Sequence, residues 1–274
     1  MGAAIMKPKI LFVYDHKTPE YWMDGLWAAL QVLQKDFDVE KWNLAEKDAD
    51  IGLLGAGDKY DFMLGWGGFN SKVDKRLQEE NDQKKGLCIG GNAFPPTGAN
   101  NYDVLFFETK WYRPQISFHK NIVLAFGVNT DIFFQPDITM PIVWDYIGVG
   151  AFAKWKRWEK MKLKKGNCLV VGEIQSDNKA ESREIYTDLI ENGVMVSDMV
   201  SPFDISNMYH WSRTLYMPSD IYGGGERSVL EARACGLQVE IEPDNDKLKE
   251  LLTCPIPSHV DYANKLREGI LSVL

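Results

Sequence analysis

The stretch "SDIYGGGERSVLEARACGLQVEI" (Ser219–Ile241) decides the fold assignment, because three consecutive glycines stand directly before a helix-like run and a strand-like run. A glycine triplet loses much backbone entropy on folding and contributes no side-chain packing. It is favoured where a ligand approaches the backbone closely or where the chain turns in a way that other residues resist. The helix that follows, predicted at residues 228–234, would present N–H groups and a helix dipole that suit a diphosphate.

Strand-like apolar runs alternate with helix-like periodic runs on both sides of this stretch. The first half contains "KILFVYD" (Lys9–Asp15) and "DGLWAALQVLQK" (Asp24–Lys35), followed by "FDVEKWNL", "YDFMLGWG", "KGLCIGGN", "YDVLFFET" and "NIVLAFGV". The pattern restarts at "WDYIGVGAF" (Trp144–Phe152). This alternation predicts an α/β protein with two doubly wound parallel sheets and a ligand cleft at the carboxyl ends of their strands.

Two prolines, Pro136 and Pro141, interrupt the pattern and mark the expected linker. We therefore predict a Rossmann-like domain at residues 1–135 and a second one at residues 136–258. Residues 259–274 are predicted to form a closing helix.

Composition limits the function classes. The chain has 274 residues and a formal net charge of -8, which argues against broad binding to nucleic acid. Its apolar runs are too short to span a bilayer, and the start "MGAAIMKPK" lacks a signal-peptide core, so we expect a cytoplasmic protein. Four widely spaced cysteines without a C-x-x-C pair indicate buried thiols.

The segment "FAKWKRWEKMKLKK" (Phe152–Lys165) is locally basic. Two interpretations remain open for it. It is either a helix with a solvated basic face or an anion site.

Glu231 also has two interpretations. It lies one turn into the predicted helix, near enough to accept hydrogen bonds from a ribose. Equally, Ser228 and Glu231 fit a capping box, in which Glu231 bonds only the backbone of the cap.

The stretch "GGGERSVLEARACGLQVEI" resembles the signature of the retaining GT-B glycosyltransferases of family 4, in which a glycine loop precedes an "LEAxAxGxPV" helix and strand. "FGVNTDIFFQP" (Phe126–Pro136) resembles the linker of that family, and "YIGVGAFAKWKR" (Tyr146–Arg157) resembles its strand and basic loop. The C-terminal "DYANKLREGILSVL" resembles its closing helix, which often packs on the N-terminal domain.

The resemblance implies a site for a nucleotide-diphosphate sugar, with UDP- or GDP-sugar as co-substrate and no permanently bound cofactor or metal. Glu231 would bind the ribose, and Lys156 or Arg157 would stabilise the departing diphosphate. The expected catalytic residues are Glu226, Arg157 and Lys156, and the expected donor-binding residues are Gly223, Gly224, Gly225, Arg227, Ser228, Val229 and Glu231.

The chain departs from the family pattern at two places. Gly223 stands where the family has a glutamate that contacts the donor sugar, so Glu226 either replaces it or only favours the helix start. Trp66 stands where the family often has a histidine. Residues of the first half that follow strands, and are candidates to face the cleft, are His16, Glu20, Gly67, Gly68, Asn92 and Glu108.

Three functions remain open on this basis. The first is retaining transfer of a sugar to a small molecule, lipid or glycan. The second is the same reaction on a modified DNA base, as in some viral enzymes, and the third is binding of a sugar nucleotide without catalysis. Trp22, Trp27, Trp66 and Trp111 in the first half offer faces for stacking with an acceptor, or core packing.

Overall fold

The structure, a computed structural model, describes residues 6–46, 59–80, 82–89 and 98–274. The chain forms two compact units: unit 1 is Met1–Phe126 with His259–Leu274, and unit 2 is Gly127–Ser258. The boundary between them falls earlier than the expected one after residue 135. The reason is that residues 127–135 pack in unit 2, where the ring of buried Phe133 lies 6.1 Å from that of Tyr209.

Unit 1 is built on a six-stranded parallel sheet in the order β2-β1-β3-β4-β5-β6. Its strands are β1 (Lys9–Tyr14), β2 (Asp38–Asn43), β3 (Phe62–Trp66), β4 (Lys85–Ile89), β5 (Val104–Phe107) and β6 (Ile122–Leu124). The four central strands are short apolar runs buried along almost their whole length, as parallel strands covered on both faces must be.

In the described part of unit 1, the α-helices are α1 (Pro19–Trp22), α2 (Asp24–Leu33), α3 (Lys72–Gln78) and α8 (His259–Leu271). Two 3₁₀ helices lie at Ala99–Asn101 and Lys110–Ile116. Helix α2 buries Leu26, Leu30 and Leu33 at the spacing that predicted it. Helix α8, from the far end of the chain, packs against α2, β5 and β6. It approaches so closely that a Cβ atom on Gly269 would lie 2.4 Å from Cε1 of Phe106.

Unit 2 contains a five-stranded parallel sheet in the order β11-β10-β7-β8-β9. Its strands are β7 (Trp144–Val149), β8 (Cys168–Gly172), β9 (Met195–Asp198), β10 (Ser212–Met217) and β11 (Gln238–Ile241). Its helices are α4 (Lys179–Glu191), α5 (Pro202–His210), α6 (Glu226–Ala234) and α7 (Asp246–Thr253). The predicted α/β class with two parallel sheets is confirmed.

The basic segment is not the continuous helix that the sequence suggested. It forms two 3₁₀ helices, Lys154–Lys156 and Trp158–Leu163, separated by Arg157 in the left-handed region with φ 52°. Trp158 anchors the turn, because its buried indole N–H donates to the Ala151 carbonyl at 2.9 Å.

All four cysteines are free thiols. Among the residues that the structure describes, no helix combines the length and apolar character needed to cross a bilayer.

We expect Gly269→Ala to destabilise unit 1. The added methyl group meets the buried Phe106 ring, and overpacking of this kind costs about 1–3 kcal/mol, whereas helix propensity returns only about 1 kcal/mol. Thermal denaturation should show a lower Tm than wild type. Asn264→Ala, on the exposed face of the same helix, is the control, and an equal Tm for both variants would contradict the described packing of α8.

Candidate functional site

The glycine loop connects β10 to α6, and its geometry explains each glycine. Gly224 and Gly225 have φ angles of 65° and 116°, in the region that favours glycine. Gly223 has no such angle, but a Cβ atom there would lie 2.6 Å from the Trp155 carbonyl oxygen. Glycine is therefore required at Gly224 and Gly225 by their left-handed backbone, and at Gly223 by the close approach of the Trp155 carbonyl.

Helix α6 begins at Glu226, two residues earlier than predicted, with Gly225 as its N-cap and no side-chain cap. The capping-box interpretation is wrong, because Ser228 lies inside the first turn and its hydroxyl donates to the Val149 carbonyl at 3.4 Å. Within the described chain, the amides of Arg227 and Ser228 have no acceptor, as expected for the first turn of a helix. The Val229 amide is bonded to Gly225 O at 3.0 Å, and its side chain is fully buried.

Glu231 is buried under this first turn rather than capping it. Its Oε1 lies 3.1 Å from Nε of Arg227, one turn earlier, and its Oε2 accepts from the Tyr209 hydroxyl at 3.3 Å. Burial, followed by the nearby Glu231 charge, raises the pKa of Tyr209 well above its usual value, so the phenol remains a donor. The carboxylate is thus held in one orientation from two sides.

Most of the basic segment is neutralised within unit 2. Five of its seven cations pair with carboxylates: Lys154 with Glu181, Arg157 with Asp244, Lys160 with Glu242, Lys162 with Asp188 and Lys164 with Glu240. Of the other two, Lys165 is exposed and Lys156 is buried. Of the seven cations, Lys156 is therefore the one that decides whether this segment is only a solvated basic face or also an anion site.

Lys156 is a buried cation whose ammonium group has neither a hydrogen bond nor an ion pair in the described part of the chain. It lies against Gly150, where an added Cβ atom would be 3.1 Å from Nζ. Burial lowers the pKa of Lys156 to about 8; the Glu226 charge opposes this shift, and those of Lys247 and Arg227 add to it. A buried cation without a contacting anion is costly unless a ligand completes it.

Glu226 forms a fully buried ion pair with Lys247 of α7, with Oε1 2.7 Å from Nζ and side-chain exposures of 2% and 0%. Burial alone would raise the pKa of Glu226, but the charge and hydrogen bond of Lys247 outweigh it and lower the pKa. The carboxylate expected to reach a donor sugar is thus engaged by a neighbouring helix.

Arg157 is also engaged within the protein. Its Nε donates to Pro218 O at 2.6 Å, and its two terminal nitrogens form a bidentate pair with Asp244 at 2.7 and 2.9 Å. Nη2 donates further to Ser219 O at 2.9 Å. Asn245 continues the contact, because its side-chain amide donates to the carbonyls of Ser219 and Asp220, both at 2.9 Å.

Sequence reasoning missed three residues of this arrangement: Lys247, Asn245 and Asp244. The segment "EPDNDK" (Glu242–Lys247) has the composition of a turn after the last strand, and Asn245 caps α7 by accepting from the Leu248 amide at 3.1 Å. Nothing in the local pattern indicated that its amide also holds the glycine loop. A lysine in the first turn of a helix is usually exposed, so Lys247 gave no signal of its burial.

In unit 1, His16 and Trp66 lie close together, after β1 and at the end of β3, with ring centroids 5.1 Å apart. Glu20 lies in α1, Gly67 and Gly68 follow β3, and Glu108 follows β5, as expected from the sequence. Asn92 lies outside the described residues. Across the described ranges, no group of three or more His, Cys, Asp or Glu side chains is placed to hold a metal ion.

Solved structures share this architecture across almost the whole chain. HepE of Anabaena in complex with UDP and glucose aligns over 97% of this chain and 89% of its own, with 12% identity and a TM-score of 0.63. Sucrose-phosphate synthase of Thermosynechococcus elongatus aligns over 97% and 95%, with 12% identity and a TM-score of 0.62. The fold is GT-B.

The GT-B fold is also that of proteins with another reaction. A UDP-GlcNAc 2-epimerase of Methanocaldococcus jannaschii, solved with UDP-GlcNAc and UDP, aligns over 97% of this chain and 92% of its own, with 11% identity and a TM-score of 0.57. No protein-family model and no curated protein sequence matches the chain. The likeness to these structures therefore shows the fold, which proteins with different reactions share.

We expect Glu226→Gln to destabilise unit 2 by about 3–5 kcal/mol, because it leaves the Lys247 ammonium buried without its counter-ion. Chemical denaturation at pH 7 measures the free energy of unfolding. The double variant Glu226→Gln/Lys247→Met removes both charges and should recover at least half of the loss. If the double variant is less stable than the single one, the buried pair is not the source of the effect.

Proposed function

We propose that this GT-B protein is a glycosyltransferase that moves a sugar from a nucleoside-diphosphate sugar to an acceptor hydroxyl. The observation that carries the proposal is Lys156, a buried cation without a contacting anion in the described part of the chain. The charges of Glu226 and Arg227, the first two residues of α6, act on it. A diphosphate supplies the missing negative charge, and the helix start supplies its N–H donors.

In the proposed reaction, the bond between the anomeric carbon and the diphosphate oxygen breaks, and the diphosphate leaves with the electron pair. The acceptor oxygen bonds to the same carbon and gives its proton to the departing diphosphate. Lys156 and the amides of Arg227 and Ser228 stabilise the charge that grows on the leaving group, which is the form of catalysis that a preorganised dipolar site provides. Glu231, buried and oriented by Tyr209, is proposed to bind the ribose.

Retention of the anomeric configuration and independence from a divalent metal are parts of the same proposal, and the resemblance to family 4 supports them. The donor is proposed to be a UDP-sugar, since the GT-B neighbour from Anabaena was solved with UDP and glucose. Sugar transfer to a DNA base is less favoured, because the basic segment that would follow a phosphate backbone is largely neutralised by carboxylates.

Calorimetric titration with UDP, GDP and ADP tests the donor site, and a matched set of UDP-sugars with product analysis by NMR tests the reaction. Release of UDP together with an α-configured sugar product from an α-configured donor, undiminished by EDTA, would support retaining, metal-independent transfer. Absence of binding to every nucleotide would overturn the proposal. Nucleotide binding with conversion of the donor to its C2 epimer would replace transfer with epimerisation.

We expect Lys156→Met to stabilise the ligand-free protein while removing nucleotide affinity. The folded-state pKa of about 8 lies below the unfolded value near 10.4, so burial of the charge costs stability in full below pH 8 and progressively less as the pH rises towards 10. The variant should therefore unfold with a free energy higher by on the order of 1–3 kcal/mol at pH 7, with little difference at pH 10. Lys165→Met, at an exposed position of the same segment, is the control. A loss of stability at pH 7 would show that Lys156 already has a favourable partner.

UDP affinity should decrease above pH 8, because only the protonated form of Lys156 attracts the diphosphate. A bound anion raises the pKa of the lysine, so binding at pH 8 to 9 takes up a proton. We expect up to about a tenfold weaker affinity at pH 9 than at pH 7, and a binding enthalpy that varies with the ionisation enthalpy of the buffer. Lys156→Met should abolish both effects; their persistence in that variant would assign the titration to another group.

A further inference from the structure

The two arginines near the glycine loop differ in how many of their donors are already used. Arg157 directs Nε and both terminal nitrogens to acceptors of the protein, namely Pro218 O, Ser219 O and the carboxylate of Asp244. Arg227 uses Nε for Glu231 at 3.1 Å, while its Nη1 atom is buried without a hydrogen-bond partner. The two side chains therefore have different capacities to accept a new ligand.

Arg227 also lies at the helix start proposed to bind the diphosphate. It is the second residue of α6, where the backbone amides of the helix start are unbonded, and its charge contributes to lowering the pKa of Lys156. Two cations that repel each other inside a protein are stabilised when one polyanion contacts both. The guanidinium fork matches the geometry of phosphate oxygens, and Glu231 fixes its orientation from the opposite edge.

Arg157 holds the chain segment that precedes the glycines. Together, Arg157 and Asn245 donate hydrogen bonds to the carbonyls of Pro218, Ser219 and Asp220. The Ser219 hydroxyl donates to Gly224 O at 2.8 Å. Residues 218–220 and 224 are thus fixed through their carbonyl groups. The left-handed backbone of Arg157 is an uncommon conformation for a non-glycine residue, and this network holds it there.

We propose that Arg227 is the second cation that contacts the diphosphate, beside Lys156, and that Arg157 is a positioning residue that holds the loop through Pro218, Ser219 and Asp244. This inference rests on the proposed nucleotide-sugar site and names which side chains contact its phosphates. It differs from the sequence-based expectation, which gave the diphosphate to Lys156 or Arg157 and placed Arg227 among the donor-binding residues without naming the group that it contacts.

Calorimetric titration of the full chain with uridine, UMP and UDP separates the two roles, because the gain from UMP to UDP reports on the second phosphate. Arg227→Gln should reduce UDP affinity at least tenfold and remove most of that gain. Loss of the Arg227 contact to Glu231 would lower the affinities for uridine, UMP and UDP by the same factor and would leave the gain unchanged. Arg227→Lys, which retains the charge without the fork, should recover part of the gain that Arg227→Gln removes. Arg213→Gln, an exposed arginine of β10, is the control for the change in net charge.

For Arg157, the partner carboxylate provides the matched test. Arg157→Gln and Asp244→Asn should each weaken all three ligands by a similar factor and lower the Tm, and the double variant should be no worse than either single variant. This non-additivity is expected only if Arg157 acts through Asp244 and the loop. A direct phosphate ligand would instead lose the UMP-to-UDP gain in Arg157→Gln and retain it in Asp244→Asn.

The inference is overturned if Arg227→Gln, folded by circular dichroism, binds UDP as tightly as wild type. It is also overturned if Arg157→Gln alone removes the gain from UMP to UDP. Either result, with wild-type protein that binds UDP, leaves the proposed glycosyltransferase function standing. Wild-type protein that binds no nucleotide overturns the function itself.

Discussion

The buried ion pair between Glu226 and Lys247 is the interaction on which the rest of unit 2 depends. It joins the first turn of α6 to the first turn of α7 at 2.7 Å, with both side chains almost fully removed from solvent. Two residues before Lys247, Asn245 holds the carbonyls of Ser219 and Asp220. The start of α6, the start of α7 and the chain entering the glycine loop are therefore fixed as one assembly.

The same pair decides the electrostatics of the candidate site. Glu226 contributes to the potential at Lys156, but its contact is made with Lys247, and Glu231 is held by Arg227 and Tyr209. Apart from Asp220, the charges that act on Lys156 are therefore already paired with other groups. A protein that only stabilised its fold would gain from an apolar residue at this position. A buried cation at this position is what the proposed site requires, because there a bound anion supplies the missing negative charge.

The two parallel sheets could be predicted from the sequence because buried parallel strands are continuous apolar runs and the covering helices are periodic. The local geometry of the site could not. Ser228 fits a capping motif, yet the helix begins earlier, because Gly225 adopts a φ of 116° and serves as the cap. Lys156 and Arg157 are adjacent in a basic run, and the sequence does not distinguish them. In the fold, Lys156 is buried without a contacting anion in the described part of the chain, whereas the guanidinium of Arg157 donates to several acceptors of the protein. Such distinctions arise from contacts between residues distant in sequence, which a local pattern does not contain.

The backbone at Gly223 explains why this chain lacks the glutamate that family 4 has at the same position. A side chain at this position would begin 2.6 Å from the Trp155 carbonyl oxygen and 2.8 Å from Cβ of Ser219, so this backbone excludes the glutamate of the family. Glu226, the nearest alternative, is paired with Lys247, and removing it from that pair would take away the carboxylate that lies 2.7 Å from a buried ammonium. In the proposed donor site, this loop therefore offers cations and backbone amides rather than a carboxylate available to the sugar. For the proposed nucleotide-sugar donor, this favours the diphosphate over the sugar ring as the part that unit 2 would bind most strongly.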